Sequence, residues 1–445
     1  MVFTDLNLKT LLGLGLSLAV SSAWANLNFI KDNTLLLSPA TPAMPSAQKP
    51  VDTEATNTWS KILSKHQNWA DQLDYDSSKY SVKYTFNDEL ETFIKKQLSL
   101  YRPDYTSVVV MDNETGEILS AVDYARDKNV YGRDLAFSNT HPSASIFKII
   151  TASDLLENTH IKTKTEFHFT GRSTTLYRSQ LKQPQTRRWV RSLDFQKAFA
   201  TSNNVIFGRT AIENLTPAGL KKMAEKYGFN KRLVEGVNLP ASVFNMAQDQ
   251  YNLAEFSSGL NTQTVMSPVH GAVIASVVAN GGVIRYPIVV KSIEGLSDKK
   301  VLYPPLKPDE VVITPGSAAD LRTLFMATVT EGTARGSFRR SRYLLDRLEI
   351  GGKTGSITGG EPRGKRDWFV SYAKSIEDKE DKGISICVMI VNQKKWYIKS
   401  PLLAKNIMEY YYANLYPEKK LKKGGSSHAR QSHSWPRAKS SQRES

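Results

Sequence analysis

From about Tyr84 the chain is regularly patterned, with short apolar runs at both ends of the pattern and helix-spaced apolar positions between them. Ser107–Met111 and Glu117–Val122 are apolar runs flanking Asp112-Asn113-Glu114-Thr115-Gly116, a polar turn sequence that predicts a β-hairpin. The middle of the chain reads as helical. Thr216-Pro217, Ser267-Pro268 and Thr314-Pro315 each put a hydroxyl at an N-cap position and a proline, which has no N–H to lose, at the first helical one. Gly281-Gly282 supplies a stop after the second of these helices. Apolar runs then return at Leu348–Ser356, Asp367–Ala373 and Gly383–Asn392; the charged turn Lys374–Lys382 predicts that the last two pair antiparallel. Pro401–Leu415 is apolar at helical spacing and is expected to close the domain against the sheet. The pattern predicts an α+β fold: an antiparallel sheet flanked by helices, with a mostly helical subdomain inserted between the first hairpin and the last strands.

The flanks differ in composition. Residues 26–80 form a proline-rich tether, with Pro39, Pro42, Pro45 and Pro50, and a short N-terminal segment that includes a helical stretch over Trp59–Leu73. Residues 81–416 form the domain, and 417–445 a Gly/Ser-rich basic tail expected to be disordered. At the start, Lys9, the apolar run Leu11–Val20 and Ala23-Trp24-Ala25 predict a secretory signal over residues 1–25, cleaved after Ala25, with an uncleaved anchor as the alternative. The mature protein is then envelope-associated or periplasmic. The net charge of +16 changes the picture further. Part of it lies in the tail, where lysines and arginines face only Glu418 and Glu444, and an anionic envelope polymer becomes a candidate partner. No nucleic-acid-binding motif accompanies the charge, so no nucleic-acid partner is expected. The single cysteine, Cys387, sits in an apolar run and excludes an internal disulfide; the histidines lack metal-ligand spacing, so neither metal nor cofactor is expected.

Three short motifs carry the candidate chemistry. Ser145-Ile146-Phe147-Lys148 is one of five Ser-x-x-Lys matches, with those beginning at Ser46, Ser179, Ser297 and Ser371. Only Ser145 opens an amphipathic helix, where positions i and i+3 share a face and Lys148 reaches the Ser145 hydroxyl; Ser371 lies in a strand, where they do not. A Lys148 amine made neutral by burial or by a nearby cation is a base for the Ser145 proton. Ser202-Asn203-Asn204 falls between two helical runs. The Ser202 hydroxyl can relay a proton and the Asn204 amide can hold a peptide, although an inter-helix turn would use the same residues. Lys353-Thr354-Gly355 lies on a strand and is followed by Ser356. Lys353 and Thr354 suit a substrate carboxylate, the glycines permit close approach of a backbone, and an N–H near Ser356 suits an oxyanion.

The three motifs in this order are those of the penicillin-binding proteins and serine β-lactamases, and the chain resembles the transpeptidase domain of the large penicillin-binding proteins over about Tyr84–Leu415. Val109–Leu119, Leu253–Gly259, Met266–Gly282, Thr330–Ala334 and Asp367–Tyr372 extend the likeness beyond the motifs. The resemblance implies a peptidoglycan D,D-transpeptidase that acts through a Ser145 acyl-enzyme on D-Ala-D-Ala stem peptides and is acylated by β-lactams. It assigns Lys148 as base, Ser202 as proton shuttle, Asn204 as acyl-chain contact, and Lys353, Thr354, Gly355 and Ser356 to the carboxylate side. Hydrolysis instead of cross-linking would make a D,D-carboxypeptidase; a serine β-lactamase, for which Glu235 would have to serve as the deacylating base, and a non-catalytic β-lactam sensor are the further alternatives. Too few residues precede the domain for the family's glycosyltransferase module, so a separate glycosyltransferase is the expected partner. The basic stretches Gly171–Arg191 and Arg339–Arg342 suit acidic stem peptides or anionic polymers, or serve as a solvated face.

Overall fold

A computed structural model describes residues 53–417, other than 65–68, 183–188, 235, 236, 238, 247 and 248. The expected signal, nearly all of the tether, the tail beyond Pro417 and Glu235 lie outside the described residues. No helix among the described residues is long and apolar enough to cross a membrane.

The centre is a six-stranded antiparallel sheet. Its strands are β1 (Tyr105–Asp112), β2 (Ile118–Ala125), β3 (Val130–Gly132), β4 (Leu348–Gly359), β5 (Gly364–Ser375) and β6 (Ile384–Asn392), in the order β4-β5-β6-β1-β2-β3. The expected hairpin is β1–β2, and β6 pairs with β1, Cys387 opposite Val109. Both faces are covered, which is why β1 and β6 read as unbroken apolar runs. Val109 and Met111 point into one core with Trp368, Val370 and Cys387; Val108 and Val110 point into the other with Phe369, Ile386 and Val388. The first face packs on the helix Pro268–Ala279, whose residues are all buried, and the second on the helices Asp88–Tyr101 and Ser400–Tyr410.

The three Thr/Ser-Pro starts form as their chemistry dictates. Thr216, Ser267 and Thr314 each accept a hydrogen bond from the N–H two residues past the proline. Residues 59–73 depart from expectation. The helix spans Thr53–Leu63, and Gln72–Tyr75 is a strand paired with Ser78–Tyr84. The turn between them, Asp76-Ser77, has φ of 48° and 58°, the two left-handed residues that a tight hairpin needs. Ser78–Tyr84 pairs in turn with Val290–Gly295, forming a small second sheet that the sequence pattern did not announce. Trp59, Ile62 and Leu63 are buried in the main core, so the boundary expected at residue 81 falls inside a strand of the packed body.

Candidate active site

Ser145 lies on one turn of 3₁₀-helix, Ala144–Phe147, that runs directly into the helix Lys148–Asn158. Ala144 enters it with φ of 50°, a left-handed conformation that a non-glycine residue adopts only when its surroundings hold it there. The holder is Gly259, the left-handed cap of the helix Gln250–Ser258. A Cβ on Gly259 would stand 1.9 Å from the Ala144 carbonyl oxygen and 3.0 Å from the Ser145 nitrogen. From the sheet side, Gly355 approaches the same turn: its Cβ would meet Ile146 Cγ1 at 3.1 Å and Ala144 Cβ at 3.3 Å. Two glycines therefore clamp the turn that carries the candidate nucleophile.

Lys148 is fully buried. Its Nζ lies 2.9 Å from Ser145 Oγ and 2.7 Å from Asn204 Oδ1, and it also meets the Ser258 carbonyl oxygen. An ammonium has three N–H donors for these three oxygens. A neutral amine has two N–H groups and one lone pair. The two carbonyl oxygens can only accept, so they take both N–H groups and leave the lone pair directed at the Ser145 hydroxyl. Burial, and then the charge of Lys353, hold Lys148 well below the usual lysine range and favour that neutral state.

Lys353, on β4, is also fully buried, and burial pushes its pKa down to about 7. Its Nζ donates to Ser202 Oγ at 3.0 Å and to the Thr354 carbonyl at 2.8 Å. Ser202 sits in the link between the helices Phe195–Ala200 and Asn204–Asn214, with φ of 58°. The hydroxyl read as a relay is thus held by Lys353, across from Lys148. Asn204 lines the cleft and also bonds inside the protein: its Oδ1 accepts from Lys148, and its Nδ2 donates to the Thr174 carbonyl at 2.9 Å. Thr354 shares a 2.5 Å hydroxyl contact with Thr333, whose backbone N–H donates to Ala200.

The three motifs thus meet at one place. A cleft of about 1000 Å³ is lined by Ser145, Ser202, Asn204, Thr354, Gly355 and Ser356. Behind the cleft the Lys148 and Lys353 amines lie 5.6 and 5.5 Å from the ring centres of Phe207 and Phe199. Phe199, Phe207, Ser258, Gly259 and Thr333 had no assigned role in the motif reading. Ser258, Gly259 and Thr333 do fall in stretches that carry the family likeness, which is the signal that could have found them.

A model described as "Penicillin binding protein transpeptidase domain" matches residues 106–409, well over half of the chain. The chain belongs to the penicillin-binding protein transpeptidase family. It is 24% identical over 299 residues to the stage V sporulation protein D of Bacillus subtilis, covering 62% of this chain and 44% of that one. It is 22% identical over 327 residues to the peptidoglycan D,D-transpeptidase PbpA of Mycolicibacterium smegmatis, covering 64% and 61%. It therefore spans less than two thirds of either relative. Among solved structures, penicillin binding protein 3 of Mycobacterium tuberculosis matches with a TM-score of 0.61 at 18% identity, covering 77% of this chain and 80% of that one. Penicillin-binding protein A of M. tuberculosis, as an imipenem acyl-enzyme complex, matches at 0.58 and 18%, covering 75% and 80%. These likenesses establish the fold of the family, an antiparallel sheet with flanking helices.

Proposed function

We propose that the protein is a peptidoglycan D,D-transpeptidase that works outside the cytoplasm through an acyl-enzyme on Ser145. The observation that carries the reading is the 2.9 Å contact of the buried Lys148 amine with the Ser145 hydroxyl, its other two partners being carbonyl oxygens that can only accept. Lys148 takes the proton as Ser145 Oγ attacks the penultimate D-alanine carbonyl of a stem peptide. The Lys148 ammonium returns that proton through the Ser202 hydroxyl, which accepts it as it gives its own to the departing D-alanine amine, and the terminal carboxylate lies against Lys353 and Thr354. Gly355 keeps β4 close to the scissile carbonyl, and the Ser356 backbone N–H serves the oxyanion. An amine of a second stem peptide then takes the acyl group. A β-lactam acylates the same oxygen.

The breadth of the cleft, about 1000 Å³, supports a second peptide's amine over water as acceptor. A separate glycosyltransferase would supply the glycan strands, and the basic tail would dock on an anionic envelope polymer. The test is incubation with muropeptides and an amine acceptor, read by mass spectrometry. Cross-linked product is expected; trimmed product alone would assign a carboxypeptidase, and rapid multiple turnover of nitrocefin a β-lactamase.

The pH profile tests the roles of the two lysines. Lys353 carries a charge that depresses Lys148, so removing that charge raises the Lys148 pKa. In Lys353→Met the acid limb of the penicillin acylation rate that belongs to Lys148 is therefore expected to move to higher pH than in the wild type. A limb that stays put or moves to lower pH would remove Lys148 from the role of base.

A further inference from the structure

The cleft continues past the nucleophile. Alternation along β4 turns Lys353 and Gly355 toward the helical subdomain and Thr354 and Ser356 toward the opposite face, beside the helix Ser400–Tyr410. β4 is an edge strand, so the cleft folds over its free edge and runs on along that second face. There its wall carries Arg339, Arg340, Lys365 and Lys399, all exposed. None of the four forms an ion pair among the described residues. Lys365 stands opposite Thr358, two strand positions beyond the Ser356–Asp367 pair. Trp396 lies by both lysines, its ring centre 3.3 Å from Lys399 Nζ and 5.7 Å from Lys365 Nζ. A fifth cation, Lys405, is paired with Glu409 at 3.3 Å. The one carboxylate lining the cleft among the described residues is Asp367, already accepting the Ser400 backbone N–H at 2.9 Å.

The structure also sorts the two basic stretches of the sequence. Among its described residues Gly171–Arg191 contributes Thr174 to the cleft, whereas Arg339 and Arg340 both line it. Four unpaired cations inside a concave wall, continuous with the reacting serine, raise the local concentration of anions where a bound peptide must run. A solvated outer face would not be gathered along one cleft.

We infer that this wall is a carboxylate subsite, and that the substrate class of the Ser145 site is a stem peptide carrying free acidic groups in addition to its D-Ala-D-Ala end, in preference to the carboxamide form. The inference rests on the acyl-transfer reading above. A long anionic polymer is the less fitting occupant, because the cations sit within the cleft and lead to the nucleophile.

The test uses the full chain and two synthetic stem peptides that differ only in whether their side-chain and branch carboxyls are free or amidated. D-Alanine release is measured at 50 and 500 mM NaCl and normalised to the fraction of each protein that a fluorescent penicillin labels. The acidic peptide is expected to show about tenfold higher kcat/KM at low salt, shrinking to about threefold or less at high salt, because exposed pairs are weak individually and screened. K365Q/K399Q is expected to bring the ratio close to one, and R339Q/R340Q, on a separate segment, serves if the first variant does not fold. Equal rates for the two peptides in the wild type would overturn the inference, as would a preference that survives both double variants. Loss of penicillin labelling in the wild type would overturn the acyl-transfer reading instead.

Discussion

Ser145→Ala is expected to abolish covalent labelling by fluorescent penicillin and to lower D-alanine release by roughly 10⁴-fold or more, the scale on which removing a covalent nucleophile acts. The fold should not suffer. Ser145 is only partly buried, and Lys148 keeps the Asn204 and Ser258 oxygens that fix its amine. The melting temperature is therefore expected to stay within about 2 °C of the wild type, since changes away from core packing and buried networks are small. Labelling that persists in a folded Ser145→Ala protein would assign the attack to another group. Retained cellular function without labelling would favour a non-catalytic binder.

The second large effect is expected from a residue that has no side chain. Gly259→Ala places a methyl group 1.9 Å from the Ala144 carbonyl oxygen and 2.5 Å from its carbon, with a left-handed φ of 66° to accommodate as well. The turn bearing Ser145 must retreat by about 1 Å, and a misplacement of that size costs on the order of 10²-fold in rate. Penicillin acylation is expected to slow by about that factor. Gly281→Ala separates the two causes: Gly281 has nearly the same φ, 68°, but open space around its Cβ position. It should lose about 1 kcal/mol of stability from backbone strain alone and keep the wild-type acylation rate. A Gly259→Ala protein that acylates at the wild-type rate would show that the turn is held by something other than Gly259.

What was legible in the sequence was local. A hydroxyl before a proline caps a helix whatever surrounds it, and all three such starts form. Ser145 and Lys148 are three residues apart on a helical turn, so their contact follows from spacing. The Ser202 and Lys353 motifs needed the family likeness to be joined, because their 3.0 Å contact spans 151 positions. Ser258 was hidden for a different reason: it serves through its backbone carbonyl, 110 positions from Lys148, and a carbonyl has no side-chain signature. Gly259 acts through the absence of a side chain at one close approach. The helix expected over Trp59–Leu73 overlaps the strand Gln72–Tyr75 at Gln72 and Leu73. The strand forms because Asp76-Ser77 turns the chain and Val290–Gly295 extends the pairing, a partner lying more than 200 residues away.

The order β4-β5-β6-β1-β2-β3 has a consequence for how the protein is made. The hairpin β1–β2 emerges early, but its other neighbour, β6, comes almost at the end: Ser385 bonds Asn113 across 272 positions. Until residue 392 has left the ribosome, β1 has an open flank and the helix Pro268–Ala279 lacks the strand against which it packs most extensively. The domain therefore cannot complete its core until β6 has emerged, and non-local pairing of this kind is slow in folding. Truncation within β6 should consequently yield an unfolded chain rather than a smaller, partly active domain.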